Sequence, residues 1–533
     1  MASRARGPAA IPLEEVGNAV ESHSVDGLRR APSNAVGKRL PLPSFLEAAL
    51  ALAVAVTLGS WLLVAIVHVD DRFHVGHVSG SWMALVQALR EGTLYPSLHD
   101  DGVFGGTRYM PLPVLAHTGF AALTREELVS GKVAAYLTVA ALLAVLFFVL
   151  RRTGCSNLVS LGLVTAVLAT PTGFLAATGI RGDALSVLIQ LGAVALVWRS
   201  ASTRSVALAG ALSALAIFAK LSAVWALVAI ALWLVLNERR RLAAFLLSFA
   251  ASGLVLAAVF ELASGGRMSD SILTSLAAGR GESGYSLQEA LSTLVGLVEV
   301  RAGAAWLLLP FALFAVGTAV ARRKPTLFQL AFLAGTVVAF GLFLNPGSDY
   351  NHLLDFVVLT ALVVGEFWGR LQAEGRGSAP LRAILAVALL LGIGESYRQA
   401  IQPQMGEALR VVRGQGSDYY ATDPLRGFID PDEAVLSEDP SILVLRDERP
   451  VVLDASMLPP IENREPAWTD GLAARVEAGE FDKVVLVRPI EDEDWYATVD
   501  FGATVSDAIR RSYRLEGTSP PGYWIYVPRG AVR

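Results

Sequence analysis

Two adjacent carboxylates, Asp70-Asp71, stand directly after the first long apolar run of the chain. A carboxylate buried at such a boundary is costly unless paired, and burial raises its pKa toward the range of a general base. One of the two is therefore a candidate to take a proton from an acceptor hydroxyl; the plainer alternative is a helix end whose charges face water. Arg181-Gly182-Asp183 precedes another apolar run. There Asp183 is placed to cap a helix, Gly182 to turn the chain tightly, and Arg181 to hold a phosphate in a bidentate fork. Lys220 interrupts apolar sequence, so it is either functional or a snorkelling helix end, and in both cases it points toward the surface where a lipid phosphate would sit. Asn351, His352 and Asp355 open a further run at spacings of three and four, which puts them on one helical face. Asp355 lies about one turn into that run and demands a partner. His352 equally fits a hydrogen-bonded structural role. No HExxH, P-loop or GxSxG motif occurs, and the single Cys155 excludes both a disulfide framework and a cysteine-built metal site.

The elements that carry these residues are apolar. Over 533 residues, 53% are hydrophobic and 17% charged, with a mean hydropathy of +0.50. Soluble domains carry about 25% charged residues, so most of this chain has another solvent. Residues 1–400 hold 30 basic and 24 acidic residues, whereas residues 401–533 hold 14 and 24. That split predicts a membrane part followed by a soluble acidic domain, and the lack of a basic surplus argues against a nucleic-acid partner. Residues 1–43 read as a disordered cytoplasmic tail, too long and too charged for an ordinary signal peptide.

Eleven spans are expected, at about 46–68, 131–150, 157–173, 183–199, 205–219, 222–236, 242–263, 303–321, 327–344, 352–369 and 382–397, with 110–124 as a re-entrant or interfacial helix. With the N-terminus inside, the short inner loops carry Arg151-Arg152, Arg199 with Arg204, Arg239-Arg240-Arg241, Arg322-Arg323-Lys324, and Arg370 with Arg376 and Arg382. All are basic, which the positive-inside rule requires. The fold class is thus a polytopic α-helical membrane protein of about 11–12 transmembrane helices with a C-terminal extracytoplasmic α/β domain.

This topology sends the polar oddities to one outer side. They are Asp70, Asp71, His74 and His77; Asp100, Asp101, Arg108 and Tyr109; Arg181 and Asp183; Lys220; and Asp349 to Asp355. Long outer segments fall at 69–130 and 264–302, and Trp82, Leu85 and Leu89 have the spacing of a helix lying in the headgroup region. In residues 401–533 strands are expected at 434–436, 441–445, 451–453, 483–487 and 523–527, with helices near 402–413, 468–479 and 504–512.

The order of these features resembles the GT-C superfamily, membrane glycosyltransferases that use polyprenyl-phosphate-linked sugars and include protein O-mannosyltransferases and the aminoarabinose transferase. The resemblance covers most of residues 45–400. It rests on the acidic pair, on Leu89-Arg90-Glu91-Gly92-Thr93-Leu94-Tyr95-Pro96, on Tyr109-Met110-Pro111-Leu112-Pro113, on Arg181-Gly182-Asp183, on Ala219-Lys220-Leu221-Ser222 and on Asn351-His352-Leu353-Leu354-Asp355. It implies an inverting transfer of a sugar from a polyprenyl-phosphate carrier to a glycan, lipid or protein acceptor outside the cytoplasm, at the plasma membrane. No cofactor and no metal are expected. Asp70 or Asp71 would be the base, with Asp100-Asp101 as alternatives, because Val78 beside His77 stands where many relatives carry an acid. Arg181, Lys220 and Arg108 would bind the donor phosphate, and His77, Tyr109, Asp183, Asn351, His352 and Asp355 would contact substrate. A lipid-linked sugar transporter or flippase, and a non-enzymatic scaffold, are the rival readings.

Overall fold

The computed structural model describes residues 42–100, 103–278, 286–344, 348–415, 425, 428–430, 432–519 and 522–530. The tail expected at 1–43 falls almost wholly outside the described residues, as does Asp101. Every apolar run forms a helix, beginning with Ser44–Val67 and ending with Ala379–Ser396. Their starts follow from sequence. Ser156 and Ser202 accept hydrogen bonds from first-turn amides, and Ser286 with Glu289 and Thr326 with Gln329 close reciprocal capping boxes. Six described helices are long and apolar enough to cross a membrane, or seven if one bent pair is a single span. The chain is a multi-pass membrane protein. Thr203–Ala219, Trp225–Asn237 and Leu327–Leu342 are apolar but shorter than a full crossing requires. Burial separates the roles of the long helices: the apolar window of Tyr350–Glu374 is 78% buried and runs through the bundle, whereas that of Arg239–Ser264 is 6% buried and presents its side chains to lipid.

The span expected at 157–173 is broken. Helix Asn157–Ala169 stops at Thr170, and Pro171–Thr178 leaves it at 75°. Pro171 lacks the amide that would continue the first helix and suits the first position of the second. Thr170 Oγ1 caps that new start by accepting from Gly173 N at 2.9 Å. A Cβ on Gly173 would stand 2.0 Å from Val167 O, so the bend requires glycine there.

Residues 110–124 form a 14-residue helix, Pro111–Thr124, packed against Glu127–Arg152. The expected headgroup helix exists as His77–Arg90, but Ser79 to Val86 are all buried. It lies between the bundle and the C-terminal unit, so its lack of a single apolar stripe reflects burial on all sides.

The C-terminal unit holds a four-stranded sheet ordered β1-β2-β4-β3, with β1 Val435–Ser437, β2 Lys483–Leu486, β3 Tyr513–Ser519 and β4 Tyr523–Pro528. β1 and β2 are parallel and the remaining pairs antiparallel. Helices Pro466–Glu477 and Gly502–Ser512 pack against each other, and their apolar faces share a core with the sheet. Two expected strands are corrected. Ser441–Val444 is a helical turn, started by Asp439 Oδ1 accepting from Ser441 N at 2.9 Å. Val451 to Leu453 pairs outside the sheet, where Phe104 N donates to Val451 O at 2.8 Å and Leu453 N to Phe104 O at 2.9 Å. β3 went unread because its interior, Arg514 to Thr518, is polar and open to solvent. Leu98 and Phe104, from the segment before helix Pro111–Thr124, complete the core of this unit.

Candidate functional site

The bundle brings Arg181, Asp183, Lys220 and Asn351 together from three separate stretches. Lys220 ends helix Thr203–Ala219, and its Nζ donates to Asp183 Oδ1 at 2.5 Å; Asn351 Nδ2 donates to the same oxygen at 3.0 Å. Asp183 is therefore not the cap expected of it. Gly182 occupies that position without a side-chain bond, and the carboxylate instead balances Lys220 across the fold. Gly182 itself has an ordinary φ of −86°. It is small because a Cβ would meet Pro113 Cγ at 2.7 Å and Trp82 at 3.2 Å. Lys220 is correspondingly not a free cation awaiting phosphate.

Arg181 differs from Lys220 in this respect. Its Nε is buried and has no hydrogen-bond partner among the described residues. It borders a narrow cleft of about 30 Å³ with Trp82, Pro113, His117, Ile180 and Leu185. His74, Tyr109, Asp183, Tyr350 and His352 all lie within its electrostatic reach. His352 also feels Lys220 and Arg108, and its buried Nδ1 has no hydrogen-bond partner among the described residues.

Asn351 and His352 occupy a 3-10 turn, Tyr350–Leu353, whereas Asp355 belongs to the helix that follows, so the three do not share one helical face. Asn351 turns to Asp183. Asp355 is deeper, where Trp225 Nε1 donates to its Oδ1 at 2.6 Å and Gln190 Nε2 at 3.4 Å. Gln190 Oε1 in turn accepts from Ala226 N at 3.2 Å. These bonds give the buried carboxylate the partners it requires. Trp225 and Gln190 were not singled out from sequence.

The acidic pair divides. Asp70 is exposed and makes no hydrogen bond or ion pair with a described residue. Asp71 is buried, and both its oxygens are engaged: Oδ2 with His68 Nδ1 at 2.5 Å, and Oδ1 with the amide of Phe73 at 2.9 Å. Lys132, fully buried, donates to Phe73 O and lies near the Asp71 carboxylate. His74 Nδ1 shares a hydrogen bond with Thr178 Oγ1 at 2.6 Å and its ring stacks on Phe73 at 4.0 Å. Burial first, then Lys132 and Arg181 and finally His68, hold its pKa down to about 3, so it is neutral at ordinary pH. His68 and Lys132 were missed, although a lone lysine inside an apolar run is the signal that singled out Lys220.

His77, Arg108 and Tyr109 face the C-terminal unit. Arg108 Nε lies 4.0 Å from Asp454 Oδ2 and its guanidinium 5.8 Å from the Tyr109 ring centre. The Tyr109 ring packs on Trp82 at 4.6 Å, and its hydroxyl pKa is raised by burial and then by Asp454. His77 and Arg108 both lie within electrostatic reach of Asp500. Asp500 and Glu438 form a buried carboxyl pair in which burial, ahead of every other influence, favours the protonated forms. Asp100 pairs with Val103 through two backbone bonds. No group of three or more His, Cys, Asp or Glu among the described residues is arranged to hold a metal ion.

No protein-family model matches the chain, and no curated protein does. Solved structures do. ArnT from Cupriavidus metallidurans bound to undecaprenyl phosphate aligns over 90% of this chain and 98% of its own, with a TM-score of 0.54 at 13% identity. The same protein in the apo state covers 89% of this chain and 97% of its own, with a TM-score of 0.54 at 12% identity. The likeness spans bundle and C-terminal unit together, and the chain shares the fold of that protein, in keeping with the resemblance drawn from the order of its motifs.

Proposed function

We propose that the chain is an inverting glycosyltransferase that moves a sugar from a polyprenyl-phosphate carrier to a glycan, lipid or protein acceptor outside the cytoplasm. The observation that carries this reading is the partial vacancy of Arg181. A guanidinium with an unpartnered buried nitrogen, beside a small cleft lined in part by apolar side chains, suits a phosphate attached to a prenyl chain. The fold it shares with ArnT, solved with undecaprenyl phosphate, supports the same donor chemistry.

In this reading Asp70, exposed and uncommitted, takes the proton of the acceptor hydroxyl as it attacks the anomeric carbon. The bond to the phosphate oxygen breaks on the opposite face, and the leaving phosphate gathers charge that Arg181 and the nearby Arg108 stabilise. Lys220 acts at one remove by keeping Asp183 neutralised beside Arg181. Asp71, His68 and Lys132 shape the turn that presents Asp70. His77, Tyr109, Asn351, His352 and Asp355 line or support the substrate side. At about 30 Å³ the cleft holds roughly one water, so donor entry requires its lining side chains to part. The enzyme would act at the plasma membrane with its N-terminus in the cytoplasm and its C-terminal unit outside, with no cofactor.

The broken helix at Thr170–Pro171 gives a transporter reading one point of support, since discontinuous helices mark transporter binding sites. Among the described residues it has no counterpart elsewhere in the bundle. One experiment separates the readings. Detergent-purified protein is incubated with a panel of polyprenyl-phosphate sugars plus candidate acceptors, and release of polyprenyl phosphate is followed. Release by the wild type, with undecaprenyl phosphate affinity lost in Arg181→Ala, supports transfer. Saturable undecaprenyl phosphate binding without release from any donor, together with movement of a lipid-linked sugar across liposomes, overturns it in favour of transport.

A further inference from the structure

We propose that Arg72 is a positioning residue through which the C-terminal unit sets the place of the Asp70 carboxylate; the proposal rests on the reading of Asp70 as the base. Arg72 is two residues beyond Asp70, yet its side chain points into the other half of the molecule. Its guanidinium is 5% exposed and the facing Asp439 carboxylate 0%. Nη2 donates to Ser441 Oγ at 2.8 Å and to the Tyr523 hydroxyl at 3.0 Å, and lies 3.5 Å from Asp439 Oδ2. The Tyr523 hydroxyl completes the ring by donating to Asp439 Oδ2 at 2.5 Å. Asp439, Ser441 and Tyr523 belong to the sheet or to the segment at its edge, while Arg72 Nε stays buried without a hydrogen-bond partner among the described residues.

The contact has no slack. Helix His77–Arg90 presses Gly80 against the same segment, where a Cβ would stand 2.3 Å from Ser441 N and 2.7 Å from Asp439 Oδ1. On the bundle side the turn is held by His68 on Asp71 and by Lys132 on the Phe73 carbonyl. Asp71 is thus pinned toward the bundle and Arg72 toward the C-terminal unit. Asp70 is the next residue along and makes no hydrogen bond or ion pair with a described residue, so these two anchors set the backbone position from which its carboxylate reaches out. A base must reach its proton within hydrogen-bond distance, and a misplacement of about 1 Å costs up to about 100-fold in rate. A second pair crosses the same junction, Arg449 with Glu91, with the arginine 75% exposed. It touches nothing in the turn and serves as the control.

The test uses full-length protein in detergent with the polyprenyl-phosphate sugar that the panel shows to be turned over. Tyr523→Phe and Arg72→Lys are expected to lower kcat about tenfold or more, because the first removes the hydroxyl that links Arg72 to Asp439 and the second the planar guanidinium that reaches Ser441 and Tyr523. KM for the donor and affinity for undecaprenyl phosphate stay within about twofold. Adding Tyr523→Phe to Asp70→Asn produces no further loss, since a missing base cannot be misplaced. Arg449→Ala changes kcat less than about twofold. Backbone amides at 68–76 exchange faster in Tyr523→Phe than in wild type, with no donor present. Losses that multiply in the double variant, or an affinity that falls as far as kcat, overturn the proposal in favour of a general structural role. Full turnover by Asp70→Asn overturns the base reading and this proposal together, whereas unchanged exchange at 68–76 with Asp70→Asn inactive overturns the positioning role alone.

Discussion

The turn at residues 68–77 and the cluster around Arg181 lie side by side and are built in opposite ways. In the turn almost every charged or polar side chain is committed: Asp71 to His68 and Phe73, Lys132 to the backbone, Arg72 to the C-terminal unit, His74 to Thr178. Asp70 is left open. In the cluster the charges balance through Asp183 and Lys220, yet Arg181 Nε and His352 Nδ1 are buried without hydrogen-bond partners among the described residues. Arg72 Nε is buried without such a partner too, but Arg72 Nη2 makes two hydrogen bonds, and a guanidinium that makes none with a described residue is the readier to receive a ligand. On the proposed reading, Asp71 and Lys220 are scaffolding, and Asp70 and Arg181 carry the chemistry.

Four changes break or sharpen this contrast, in falling order of effect. Lys220→Ala removes one partner of a buried pair and leaves Asp183 with Asn351 alone, which should cost about 3–5 kcal/mol of stability. Thermal unfolding in detergent reads it. A variant that melts like wild type but no longer binds undecaprenyl phosphate would make Lys220 a direct ligand and erase the distinction from Arg181. Arg181→Ala should weaken undecaprenyl phosphate binding by about 10–100-fold, the worth of charge-assisted hydrogen bonds of about 1.5–3 kcal/mol, with little change in melting. Equal affinity in a titration of variant and wild type would move the phosphate site elsewhere.

The third concerns acid. His74 stays neutral in the fold down to about 3, while an unfolded imidazole takes up its proton near 6.5. The unfolded state therefore binds more protons between those values. Stability is full above about pH 6.5 and falls on acidification by about 1.4 kcal/mol per pH unit until the folded group titrates. Melting curves at pH 7 and pH 5 should differ less in His74→Gln than in wild type; an identical pH slope would show that His74 does not carry it. The smallest effect belongs to Arg449→Ala, which removes an exposed ion pair and should change stability by less than about 1 kcal/mol.

What the sequence showed and what it hid follow the same physical line. Helices were legible because apolar runs and the basic loops between them are local signals, and each run expected to be a span is helical. The gathering of Arg181, Asp183, Lys220 and Asn351 was also legible, since charges in apolar surroundings must find one another. Their pairing was not. Asp183 looked like a cap because a carboxylate beside glycine at a helix start usually is one, and only the fold brings Lys220 to it. The break at Pro171 was masked by uniform hydropathy on both sides. In the C-terminal unit, Ser441–Val444 read as a strand because fully buried residues show no period, and β3 was passed over because its interior faces water. Arg72 carried no signal at all: its partners lie about 370 and 450 residues away in sequence.

The central claim is that neighbouring aspartates have divided the labour, and one pair of variants tests it most directly. Release of polyprenyl phosphate from the active donor would be measured for wild type, Asp70→Asn and Asp71→Asn, each beside its melting temperature. The account predicts that Asp70→Asn melts like wild type and loses about 100-fold or more of its turnover, the scale of general-base catalysis. Asp71→Asn should melt earlier, and its folded fraction should keep most of its activity. A fully folded, inactive Asp71→Asn beside an active Asp70→Asn would contradict it and give the chemistry to the buried carboxylate.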